Sequence, residues 1–105
     1  MFSIKRVEDV ELFLEGEETV LDLPAIRDNH KNTVIHHTAY HNQPKVLECY
    51  LKYYRKKLER DGCTIAEIKT YTRYFLDEPN SEGYTAAHYA AYRGNISVIK
   101  LLEKY

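Results

Sequence analysis

A chain of 105 residues buries roughly two thirds of the surface its unfolded form exposes, enough for one compact core and too little for two, so a single domain over 1–105 is expected. Lys and Arg total 15 against 16 Asp and Glu, a formal net charge of -1 that supplies no general pull toward nucleic acid or an anionic membrane, although a local basic patch stays open. Two cysteines, Cys49 and Cys63, are too few for a disulfide-stapled secreted scaffold and fit reduced thiols in a cytoplasmic compartment, and the acid-rich opening around Glu8, Asp9 and Glu11 lacks the greasy run of a leader or a membrane span.

In chain order, Val7, Val10, Phe13 and Leu14 recur at helical spacing and Gly16 is placed to end a short amphipathic helix. From Glu17 to Asn32 the pattern weakens. Pro24 and the polar cluster from Asp28 to Asn32 read as loop and turn, while Val20 to Ile26 stays open between extended and helical. A short helix is expected from Thr33 to His41, after which Asn42 can take a left-handed cap and Pro44 can open the next helix. That helix is the longest: Val46, Leu47, Tyr50, Leu51, Tyr54 and Leu58 share a stripe, with Lys45, Glu48, Lys52, Arg55, Lys56 and Glu59 on the wet side, and Asp61-Gly62 ends it. Thr64 with Glu67 three residues on makes a capping box, and Ile65, Ile68, Tyr71 or Thr72, Phe75 and Leu76 carry a third stripe. After the break from Glu78 to Gly83, two last helices, about 85–93 and 96–104, flank Gly94-Asn95. No strand alternation is sustained, so the chain reads as all-α.

One stretch echoes another. Asn80 to Leu102, with its Gly83-x-Thr85 opening, His88, the Ala90-Ala91 pair, Gly94 after the first helix and the Val98-Ile99-x-Leu101-Leu102 run, resembles the ankyrin repeat; Ala86 and Ala87 stand where that family usually has Pro and Leu. Asp28 to Glu48 aligns on the same pattern as a weaker copy. There Lys31 stands in place of a turn glycine, Val34 of Pro, Thr38 of Ala and Asn42 of the helix-ending Gly. A Lys forced to positive φ would cost roughly 1 kcal/mol. Thr33 and Thr85 lie 52 residues apart, against about 33 for a regular array. The economical account is an insertion around residues 52–77; a degraded intervening repeat is the other. The resemblance therefore implies an ankyrin-like helical-repeat solenoid with an extended or extra helix there, its clearest repeats at about 28–52 and 80–105. Ala86, Ala87, Ala90 and Ala91 let one helix pack backbone-close, and Val98, Ile99, Leu101 and Leu102 fill the seam beside it. Because Val98, Ile99 and Leu102 are not polar, the end of the stack is expected to continue, or to meet a partner or a second copy.

The resemblance gives His36 and His88 a structural place in the turn network, beside the helix-capping Thr33 and Thr85 and the terminating Gly94. His37 and His41 are four apart, which is metal-ligand spacing, but the glutamate of a His-Glu-x-x-His motif is missing and solvent-facing histidines are the reading preferred. Cys49, beside the long stripe, reads as a small buried hydrophobe. Lys52, Arg55, Lys56, Lys57 and Arg60 could meet phosphate or an acidic surface, yet Glu48, Glu59 and Asp61 interrupt that field. No phosphate cradle and no acid-base pair is visible, so no catalytic residue, metal or cofactor is expected and the chain does not read as an enzyme.

A solenoid of this kind implies recognition of another protein through turn tips and inner helices, with His37, Tyr40, His41, Tyr84, Tyr89, Tyr92 and Arg93 as candidate contacts. Neither specific nucleic acid nor a membrane is expected as a partner. The alternative is a structural or oligomerisation module within a larger protein, self-associating through an exposed repeat end.

Overall fold

The structure, a computed structural model, describes residues 22–105. The helix expected from Val7 to Gly16 lies outside the described residues. A single 3-10 turn, Leu23–Ala25, opens on Pro24 and puts Leu23 wholly inside the core, which settles the helical alternative for part of that stretch. Five α-helices follow: α1 (Val34–Tyr40), α2 (Pro44–Arg60), α3 (Ile65–Leu76), α4 (Ala86–Arg93) and α5 (Ile96–Lys104). The described residues contain no strand, and the fold is all-α.

Local chemistry sets most boundaries. Thr33 caps α1 and Thr85 caps α4, and in both the third helical residue is a histidine whose ring accepts the cap's backbone N–H, as Glu67 does for Thr64 at the start of α3. Lys31 at φ 61° and Asn42 at φ 52° are the two non-glycine residues with left-handed backbone among those described, at the places where the second copy has Gly83 (φ 83°) and Gly94 (φ 67°). The strain expected of Lys31 is thus present in the fold.

The helices form two pairs, α1 with α2 and α4 with α5, stacked so that α1 lies on α4 and α2 on α5. Among the described residues nothing sits between the pairs. The extra helix α3 packs on the outside of α2, so it is added to the stack and does not replace a layer. The core runs from Val34, Ile35 and Ala39 through Leu47, Tyr50, Leu51 and Leu58 to Ala86, Ala90, Val98 and Leu102, with Phe75 and Leu76 of α3 joining it; the Phe75 ring packs tilted against Tyr54 at 4.9 Å between ring centroids. Arg73 of α3 is clamped by Asp77 (2.8 and 3.0 Å) and donates at 3.0 Å to the carbonyl of Leu102, one of the oxygens that the end of α5 leaves without a helical partner.

Three expectations about faces need correction. Ile65 is 74 % exposed and Tyr71 is exposed, so the buried stripe of α3 is Thr72, Phe75 and Leu76. Ala87 and Ala91 are exposed, leaving Ala86 and Ala90 as the buried alanines of α4. Val98 and Leu102 are buried inside the body and cannot form an apolar end to the stack.

Candidate functional site

Each pair begins with a turn built the same way. Asp28 Oδ1 accepts from the backbone N–H groups of His30 and Asn32, both at 2.9 Å, and 52 residues on Asn80 Oδ1 accepts from Glu82 (3.0 Å) and Tyr84 (2.9 Å). The two tips then join: Ser81 N–H donates to the carbonyl of His30 at 2.9 Å, and Asn80 Nδ2 to Asn32 Oδ1 at 2.9 Å. Sequence reasoning placed Asp28, Asn32 and Asn80 in turns but gave their side chains no role, although an Asx residue two and four positions before the amides it accepts, recurring at the repeat distance, is a readable signal.

His36 ties the layers. Its Nδ1 accepts the N–H of Thr33 at 2.9 Å, which leaves the ring proton on Nε2 to donate to the carbonyl of Tyr84 at 2.9 Å, in the next tip. Burial disfavours the charged ring, and with the nearby Arg27 and His37 charges it outweighs the Tyr84 hydrogen bond, so the His36 pKa lies below its ordinary value. His88 makes the same inward bond to Thr85 at 2.9 Å but is exposed, and its Nε2 has no acceptor among the described residues. Asn95 adds a second tie, donating at 2.7 Å to the carbonyl of Ala39.

Beside the tips lies an indentation of about 220 Å³ lined by Asn32, His36, His37, Tyr40, His41 and Tyr89. The sequence-predicted contacts His37, Tyr40, His41 and Tyr89 therefore meet. Tyr89 is the hub: its ring stands edge-on to Tyr40 (5.7 Å), Tyr84 (6.0 Å) and His36 (6.0 Å), and its hydroxyl accepts from Asn80 Nδ2 at 2.6 Å. That leaves the phenolic proton available as a donor. Arg93 lies over the Tyr40 ring at 4.4 Å, and Tyr84, half-exposed on the tip, reaches the cluster from the other side. Tyr92 is 86 % exposed and makes no ring contact with the cluster.

His37 is partly covered and bonded through Nε2 to Asp28 Oδ2 at 2.8 Å, while its ring stacks near that of His41 at 6.4 Å. Burial works against a charged Asp28, but hydrogen bonds from Asn32, His37 and His30 outweigh it and hold its carboxyl well below the usual carboxylate range. The pair is a strut for the first tip. Among the described residues no group of three or more His, Cys, Asp and Glu could hold a metal ion, and no helix is long and apolar enough to cross a membrane.

No curated protein and no solved structure matches the chain. A family model does, over a stretch that starts inside α3 and runs through the second tip, α4 and nearly all of α5. Within that stretch α4 and α5 form the layer stacked on α1 and α2, while α3 is the added outer helix. Residues 66–103 match the model described as "Ankyrin repeats (many copies)", and the described part of this chain is an ankyrin-like helical-repeat fold.

Proposed function

We propose that this chain binds another protein through its turn tips and the exposed side of α1 and α4, acting as a single interaction module over 1–105. Ankyrin repeats generally mediate protein–protein contacts, and these residues add a surface of suitable chemistry. One observation carries the reading: the tyrosine and histidine cluster around Tyr89 is held rigid by Asn80 yet keeps Tyr40, Tyr84, His41 and Arg93 partly or fully exposed beside an indentation. Rigid aromatic groups with polar tips yield contact area at little entropic cost, which is why Tyr and Arg dominate binding hot spots. A cytoplasmic setting belongs to the same proposal.

Affinity capture from the native cell lysate tests it, comparing the wild type with Tyr92→Ala/Arg93→Ala. Both residues lie outside the core and the exposed Arg93–Tyr40 contact is the one lost, so the variant should melt within a few degrees of the wild type, and capture of the partner should fall about tenfold or more. Undiminished capture would contradict the reading. Tyr89 is unsuitable for this purpose because its hydroxyl and ring also hold the tips together.

Self-association through the repeat end is the second reading, and the open Nε2 of His88 favours it. Against it, Glu103 and Ala87 stand where the first pair has the buried Leu51 and Ile35, so that face lacks the bulk that a further layer would meet. Sedimentation over a range of concentrations distinguishes the two: a module of the first kind stays monomeric.

A further inference from the structure

We propose a second docking surface on the opposite, outer side of the stack, fitted to an acidic protein segment that carries one apolar side chain. The outer helices α2 and α5 together hold eight basic and three acidic side chains, a net charge of +5. The whole chain totals -1, so the remaining residues carry -6. Among the described residues outside these two helices, five basic and seven acidic side chains leave a net charge of -2, so the near-neutral composition hides a distinctly positive helical layer.

Where the two helices meet at their N-terminal and C-terminal ends lies an open groove of about 270 Å³. Its floor is Pro44 and Leu101, both partly buried, and its walls are Lys45 on α2 and Lys100 and Lys104 on α5, with Glu48 as the lone acid. None of these three lysines has an acidic partner within ion-pair distance among the described residues, whereas the further basic residues Arg55 and Lys57 are already tied to Glu59 and Asp61. Lys52 and Lys56 follow Lys45 by seven and eleven residues, which returns them to within about 20° of the same helix face. The unpaired positive stripe thus runs on from the groove for roughly 16 Å along α2, the reach of about five extended residues.

The chemistry selects a peptide over other polyanions. Nucleic-acid grooves use arginine forks on phosphate and aromatic rings under bases, and this groove has neither. An apolar floor rewards an inserted side chain, and Glu48 can accept a peptide N–H while repelling an unbroken row of phosphates. Lysines, as mobile point charges, suit the irregular carboxylates of an acidic segment.

The test is fluorescence anisotropy with a labelled twelve-residue peptide of Asp and Glu around one central Leu. Binding that weakens with added salt is expected. Lys100→Glu/Lys104→Glu should reduce affinity at least about tenfold, Lys45→Glu on the opposite wall should reduce it independently, and Glu48→Gln should raise it about twofold. Replacing the Leu of the probe by Ser should cost about threefold, because the floor loses its contact. Tyr92→Ala should leave this binding unchanged, which separates it from recognition at the tips. No binding, affinity indifferent to both lysine variants, or equal affinity for a twelve-nucleotide single-stranded DNA or phosphatidylserine vesicles would overturn the proposal.

Discussion

Lys31 and Asn42 occupy left-handed backbone that glycine occupies at the matching points of the second pair, so the first pair is the strained copy. Lys31→Gly should raise unfolding stability by up to about 1 kcal/mol, part of the relief being offset by the greater freedom of glycine in the unfolded chain. Gly94→Ala should lower it by about 1 kcal/mol, and purely through backbone strain, because a Cβ there would meet nothing within 4 Å. Urea titration of both variants checks the pair of signs. The histidine at the layer boundary sets the pH response. With the His36 pKa below its ordinary 6.5, the unfolded chain takes up protons first, so stability is fully present above that value and is lost as pH falls below it. Asp28, whose pKa is also depressed, adds a loss that begins only as pH falls past its ordinary 3.8. Melting temperature should therefore drop between about pH 7.5 and about pH 5.5, and His36→Gln should lose most of that slope while melting lower throughout. These residue-scale features were partly legible. Lys31 betrayed itself by standing where its copy has Gly83, whereas the roles of Asp28 and Asn80 are tertiary as well as local, and only the paired tips reveal them.

The added helix α3 shows what an element-level pattern can and cannot specify. Its capping box was readable because Thr64 and Glu67 interact within one turn, and the structure has both bonds, Thr64 N–H to Glu67 Oε1 at 2.8 Å and Glu67 N–H to Thr64 Oγ1 at 3.2 Å. Its apolar stripe was drawn too wide, because Ile65 and Tyr71 share the spacing of buried residues but face away from α2. Periodicity alone does not say how many neighbours a helix has. Two variants separate its anchors. Phe75→Ala should cost about 3 kcal/mol, since a fully packed ring against Tyr54 is removed. Arg73→Ala should cost about 1 kcal/mol, because the Leu102 carbonyl can turn to water, and should speed amide exchange mainly in the last turn of α5.

At the scale of the molecule, the account rests on two helix pairs, 52 residues apart in sequence, lying directly on one another while the intervening residues loop out as an extended α2 and the extra α3. Sequence comparison of the two copies foretold this stacking, since small residues and matched caps recur in register. It did not foretell which alanines face inward, nor that Glu103 and Ala87 stand exposed where the first pair has the buried Leu51 and Ile35, because both depend on what packs against each helix. The same geometry separates two surfaces, an aromatic one at the tips and a lysine-rich one along the outer helices. Nuclear Overhauser contacts across the layer boundary test the arrangement most directly. The account predicts cross-peaks from the His36 ring to Tyr84 and Tyr89 and from the Asn95 side-chain amide to Ala39, matching the 2.9 Å and 2.7 Å bonds between the pairs. Contacts of α1 with α3 in their place, and none with α4, would contradict it.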